Sequence, residues 1–156
     1  MEYNEIDDYL IGELDRKKVI ELLDNIDITP LLLFVEKKEY DLEKEIINLF
    51  KKMGIPCYLK GYNCLLKAIS IMVKNKLNVP ITKSLYPKIA NELHIKVHQV
   101  EKNIRKAIEV TWDNINPETI DKLFGYSINV NKDHPTNSHF IITVSKYILK
   151  KHKSID

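Results

Sequence analysis

TKSLYPKIANELHIKVHQVEKNIRKAIEVTW, running from Thr82 to Trp112, decides the fold. Its apolar residues recur at helical spacing in two runs joined by a three-residue turn. In the first run Ile89, Ala90 and Leu93 share a face, and the small Ala90 lets a second helix come close. Pro87 is tolerated only near the start of that run, where its missing N–H leaves no bond unmade. Ile95 plugs the turn. In the second run Val100, Ile104, Ala107 and Ile108 follow i, i+4, i+7, i+8 spacing and predict a buried stripe. At about 100° per residue the opposite face collects His98, Gln99, Lys102, Arg105, Lys106 and Glu109, with Asn103 at its flank.

Outward from this stretch the same periodicity covers almost the whole chain, and strand-like alternation is scarce. A helix is expected over roughly 13–25, with Leu14, Val19, Ile20, Leu22 and Leu23 on one broad face. Pro30 then interrupts the pattern, and periodicity alone leaves Leu31 to Val35 as a short strand or a buried helical turn. The next helix, about 41–53, carries Leu42, Ile46, Leu49, Phe50 and Met53, with Gly54 and Pro56 ending it. After the loop GIPCYLKGY a helix over about 62–75 packs Leu65, Ile69, Met72 and Val73. Beyond Trp112, Asn116 and Pro117 read as N-cap and first residue of a short helix closed by Gly125. Thr136 caps a last helix bearing Phe140, Ile141, Val144, Tyr147 and Ile148, whose cationic end suits the helix dipole. The fold class expected is all-α: a compact bundle of about six helices containing a helix-turn-helix, behind a short acidic, mainly helical segment. The division falls between residues 1–42 and 43–156.

Composition supports this division. A hydrophobic fraction of 44% with only 4 glycines argues against disorder. The net charge of +2 hides an asymmetry. Residues 1–45 carry 14 Asp/Glu against 6 Lys/Arg, a balance of −8, while residues 46–156 carry 8 against 18, a balance of +10. All five histidines lie in the basic part, which suits a polyanionic partner. Cys57 and Cys64 lack metal or redox spacing and read as buried, reduced thiols. No apolar run approaches the roughly 18 residues of a membrane span. The acidic start MEYNEIDDYL lacks a signal peptide's basic and apolar regions, so the cytoplasm is the expected location.

A helix-turn-helix lays its second helix in the major groove, with residues near that helix's N-terminus reaching base edges. Gln99 and Asn103 suit adenine; Lys102, Arg105 and Lys106 suit guanine or phosphate. Thr82, Lys83, Lys96 and His98 are placed to hold the backbone phosphates. Lys60, before Gly61 and Tyr62, offers a further cation for phosphate at a helix start, although a turn that needs Gly61 explains the same residues equally well. The bland alternative is a solvated cationic face on an ordinary bundle. His94 and His98 stand four apart, but the turn between them breaks their common face and no third ligand stands at metal spacing. No nucleophile with a base, no paired carboxylates and no phosphate-cradling glycine loop point to catalysis, so neither an enzyme nor a cofactor is expected.

Five ordered blocks carry a family resemblance: GIP-x-x-x-KGY (Gly54 to Tyr62), ITK-x-LYP-x-IA (Ile81 to Ala90), VE-x-x-IR-x-AIEV-x-W (Val100 to Trp112), LFGY (Leu123 to Tyr126) and PTNS (Pro135 to Ser138). From about Ile46 to Lys151 the chain resembles the C-terminal effector domain of the stage zero sporulation protein A family. The resemblance implies an all-helical regulator that binds short boxes in double-stranded DNA, often as a homodimer on tandem sites. It also implies contact with a sigma subunit of RNA polymerase, near residues 113–126. The family typically has arginine at the positions of Gln99 and Lys102, alanine at Asn103 and histidine at Lys106, so a related but shifted target is expected. The family's phosphorylated receiver does not fit into 42 residues, and Asp7 and Asp8 lack an acceptor context. The acidic segment has three readings: packing on the effector domain, dimerising it, or shielding its basic face. The competing functional reading is a protein-binding antagonist that pairs with a full-length regulator or RNA polymerase and binds DNA weakly.

Overall fold

The computed structural model describes residues 21–125 and 134–154. Most of the helix expected over 13–25, and Asp7 and Asp8, lie outside them; its last part, 21–24, is helical. The described residues hold α1 (Thr29–Met53), α2 (Lys60–Lys74), a π-helical turn (Ile81–Leu85), α3 (Tyr86–Leu93), α4 (Val97–Trp112), α5 (Pro117–Phe124) and α6 (Asn137–Lys153), with no strand among them. None of these helices is long and apolar enough to cross a membrane. Contacts divide the chain into a first unit ending at Glu39 and a second beginning at Tyr40.

In the first unit, the stretch left as strand or buried turn is neither. Leu31 to Val35 are helical, in the first turns of α1, and all five side chains are exposed. Pro30 does not break this helix because it stands at its second residue, where no intrahelical N–H is required. Asp27 Oδ1 accepts from the Thr29 N–H at 3.0 Å, satisfying one donor of the first turn.

The second unit holds the core. From Leu42 onward α1 buries Leu42, Ile46, Leu49, Phe50 and Met53, the stripe read from the sequence, and Gly54 ends it at φ +76°. The central pair is α2 against α4, with α6 packed on both. Phe50, Leu65, Ile69, Ile89, Ile104, Ile108, Phe140 and Ile141 are almost completely removed from water. Asn116 caps α5 by accepting from the Glu118 N–H at 2.8 Å, and Thr136 caps α6 through the His139 N–H at 3.2 Å. Trp112 and Phe124 meet edge to face at 5.2 Å, which fixes Phe124 against the end of α4.

Two local features depart from the reading of the sequence. The helix before the turn opens as a π-turn, with the Leu85 N–H reaching Pro80 O at 3.0 Å. Pro87 donates no hydrogen bond and its ring crowds the carbonyl four residues back, so the backbone widens there before α3 begins. Cys57 is not buried; the loop after α1 turns it outward, and only Cys64 is enclosed.

Candidate nucleic-acid interface

α3 ends at Leu93 and is closed by His94, which adopts φ 55° and ψ 42°. That left-handed residue lets the Ile95 N–H return to Ala90 O at 3.0 Å and redirects the chain into α4. Ile95 is half-buried in the turn. α4 starts at Val97 and ends at Trp112. It buries Val100, Ile104, Ala107, Ile108 and Thr111. His98, Gln99, Lys102, Arg105 and Lys106 are exposed, as are Lys96, Thr82, Lys83 and Lys60.

Asn103 departs from its expected place. It is half-buried, and its side chain hydrogen-bonds the Cys64 thiol on α2. The helical position that carries it faces a neighbouring helix, and the amide finds a partner there. Burial pushes the Cys64 thiol above its ordinary pKa, with the Asn103 bond acting in the opposite sense, so this is a protonated, unreactive cysteine. Gln99 is exposed, yet its Oε1 accepts from the Lys96 N–H at 2.9 Å and closes the first turn of α4. Its amide NH₂ alone stays uncommitted to that cap, so two-point adenine recognition competes with helix capping.

Arg105 is held by Glu101 one turn earlier on the same helix. Thr82, Tyr86, Glu101 and Arg105 line one cleft with residues 134–138. On the other flank Gly61 sits so close to α4 that a Cβ there would lie 2.0 Å from Asn103 O and 2.7 Å from the Ala107 Cβ. The glycine is buried inside the first turn of α2, where its lack of a side chain permits this close packing, and Lys60 beside it is exposed. α4 therefore has an exposed phosphate candidate on each flank, Thr82 beside Arg105 and Lys60 beside the Asn103 edge.

A polar clamp fixes the angle of α4. Asn137 Nδ2 donates to Glu101 O at 3.0 Å, and the Asn137 side chain also bonds the buried Tyr86 hydroxyl. Burial raises the Tyr86 pKa, partly offset by that bond. The LYP and PTNS blocks thus meet as structure: α3, α4 and α6 are tied by one amide. Asn137→Ala removes a second donor from a helix carbonyl and takes from the buried Tyr86 hydroxyl its bond to Asn137, so a loss of about 1–3 kcal/mol is expected in urea unfolding. A midpoint unchanged from the parent would contradict the clamp.

One residue escaped the reading of the sequence. Val97, the first residue of α4, is 42% exposed, and Tyr58 is the other large apolar side chain exposed in the described part of the second unit. By helical angle Val97 falls on the 100/104/107/108 stripe, and its place at the first turn of α4 leaves it exposed, which the spacing does not reveal.

Residues 46–148 match the family described as Sporulation initiation factor Spo0A C terminal. The chain belongs to this family. The Spo0A C-terminal family consists of DNA-binding effector domains that regulate transcription in sporulation, and it is not a family of enzymes. The match covers α2, the whole helix-turn-helix and most of α6, which is the basic part of the chain.

Proposed function

We propose that the second unit is a sequence-specific transcriptional regulator that seats α4 in the major groove of double-stranded DNA. The observation that carries this reading is the outward face of α4, where His98, Lys102 and Lys106 recur every four residues and all are exposed. Like charges four apart on a helix repel and destabilise it slightly. A face that keeps them serves a partner of opposite charge better than it serves the bundle.

Lys102 and Arg105 reach base edges, with Glu101 orienting Arg105 until guanine or phosphate competes for it. Val97 meets the methyl group of a thymine. Lys106, Lys96 and His98 hold phosphates beside the helix, and Thr82, Lys83 and Lys60 grip the backbone on its two flanks. Gln99 chiefly caps α4 and contributes its amide NH₂. Asn103 reads no base. Residues 113–125, with Asp113, Glu118, Asp121 and Lys122 exposed, are the described part of the surface for a sigma subunit; Tyr126 lies outside the described residues. The protein acts in the cytoplasm, where the chromosome is accessible.

Selection of binding sites from random-sequence DNA with the full chain tests this assignment. Lys102→Ala is expected to change the preferred base at one position, and Val97→Ala to relax a thymine. Lys83→Ala should weaken all sequences alike. Identical consensus sequences from all four proteins would refute the residue assignments.

A further inference from the structure

We propose that Tyr58 contacts the DNA backbone, on a loop that grips the strand passing the lysine side of α4; this rests on the major-groove seating of α4. Tyr58 is 81% exposed. A single exposed ring is ordinary on a protein surface, and only its place gives it a role. The loop that carries it is anchored at both ends. Ile55 is buried in the core, and its N–H returns to Phe50 O at 3.0 Å. The Leu59 N–H reaches Pro56 O at 3.3 Å, and the Tyr62 N–H reaches Leu59 O at 3.0 Å. Gly61 then lies against Asn103 and Ala107 of α4. Three residues of chain span at most about 11 Å, so Tyr58 stands within that reach of Gly61 and of the Asn103 edge it touches.

The two edges of α4 differ in charge. At about 100° per residue, Lys106 lies about 60° around the helix from Asn103, and Lys102 about 100°. Glu109 lies about 120° from it and Glu101 about 160°. On the far edge Glu101 holds Arg105, and Glu109 stands 3.7 Å from His134. The Asn103 edge instead adjoins the start of α2, where Lys60 is the one charged residue between Gly54 and Cys64. Lys60, Lys102 and Lys106 are all exposed. A helix in the major groove, about 12 Å wide, has a phosphate strand along each side. The strand on the lysine side meets cations from two elements, α2 and α4, and Tyr58 stands at their margin. A tyrosine hydroxyl donates to a phosphate oxygen without displacing a counterion, so Tyr58 positions the strand while Lys60 supplies attraction. The same cations favour a polyanion over a protein as the occupant of this loop.

Fluorescence anisotropy and thiol alkylation of the full chain test the contact. Tyr58→Ala should weaken the selected and scrambled duplexes alike, by about five- to tenfold, without changing the salt slope or the melting temperature. Lys60→Ala should also weaken both, and should reduce the slope by about one. Cys57, beside Tyr58, is exposed and Cys64 is buried, so iodoacetamide reads the loop through one thiol. Saturating duplex should slow Cys57 alkylation by at least about tenfold, since reactivity follows access to the thiolate. A wild type that binds the selected duplex while Cys57 reacts at its free rate, or while Tyr58→Ala binds within about twofold of it, overturns this contact alone and leaves the loop to a protein partner. A wild type that binds no duplex overturns the major-groove seating and the contact with it.

Discussion

Gly61→Ala is expected to lower the melting temperature by roughly 10 °C. The added Cβ would stand 2.0 Å from a backbone oxygen of α4 and 2.7 Å from the Ala107 Cβ. Neither obstacle is the free end of a flexible side chain, so the clash is relieved only by moving α2 away from α4. That opens the central contact of the core, where Cys64, Leu65, Ala68 and Ile104 are buried. Overpacking of this kind costs about 1–3 kcal/mol and more where backbone must shift. Thermal unfolding followed by circular dichroism measures it. The variant should also bind DNA more weakly, because Asn103 and the exposed face one step around the helix move with α4. A melting temperature within about 2 °C of the parent would show that α2 and α4 do not approach as described.

Lys102→Glu should weaken binding of the preferred duplex by about 100-fold or more while leaving the fold intact or slightly more stable. A good base contact contributes about 1–3 kcal/mol, and the new carboxylate adds repulsion from phosphate. Stability moves the other way. Lys102 and Lys106 stand four apart, so the substitution turns a like-charge pair into an opposite-charge pair worth about 0.2–0.5 kcal/mol. Few purely structural roles lose function while gaining stability, which makes the pair of measurements informative. Fluorescence anisotropy for binding and urea unfolding for stability give both numbers. A parallel fall in the two would mean that Lys102 supports the bundle and that binding is lost through unfolding.

The parts of this account that were legible in the sequence are those governed by local chemistry. The stripe Val100, Ile104, Ala107, Ile108 is set by helical period alone, and each of its members is buried. Asn116 before Pro117, Thr136 before α6, and Gly54 after Met53 are capping signals that need no tertiary knowledge, and each acts where it was read. What was not legible depends on which element crosses which. Asn103 has the composition of a base reader, and only the crossing of α2 reveals Cys64 as its partner. Gly61 suited either a phosphate site or a structural turn, and its close packing against α4 depends on a crossing that the sequence does not show. The run Leu31 to Val35 looked like core because apolar runs usually are, yet a monomer leaves it in water. Gln99 shows a third kind of limit: one amide serves capping and recognition equally well on paper, and the Lys96 N–H takes its oxygen.

The central claim is that the cationic face of α4 reads a duplex, and the affinity of the full chain for its selected site, measured against a scrambled duplex as salt rises, tests it most directly. The account predicts at least about 1,000-fold preference for the selected site at physiological salt. It also predicts a log–log salt slope near −5, from about five or six phosphates neutralised by the lysines and arginine around α4. Equal affinity for both duplexes, or a slope near zero, would contradict it.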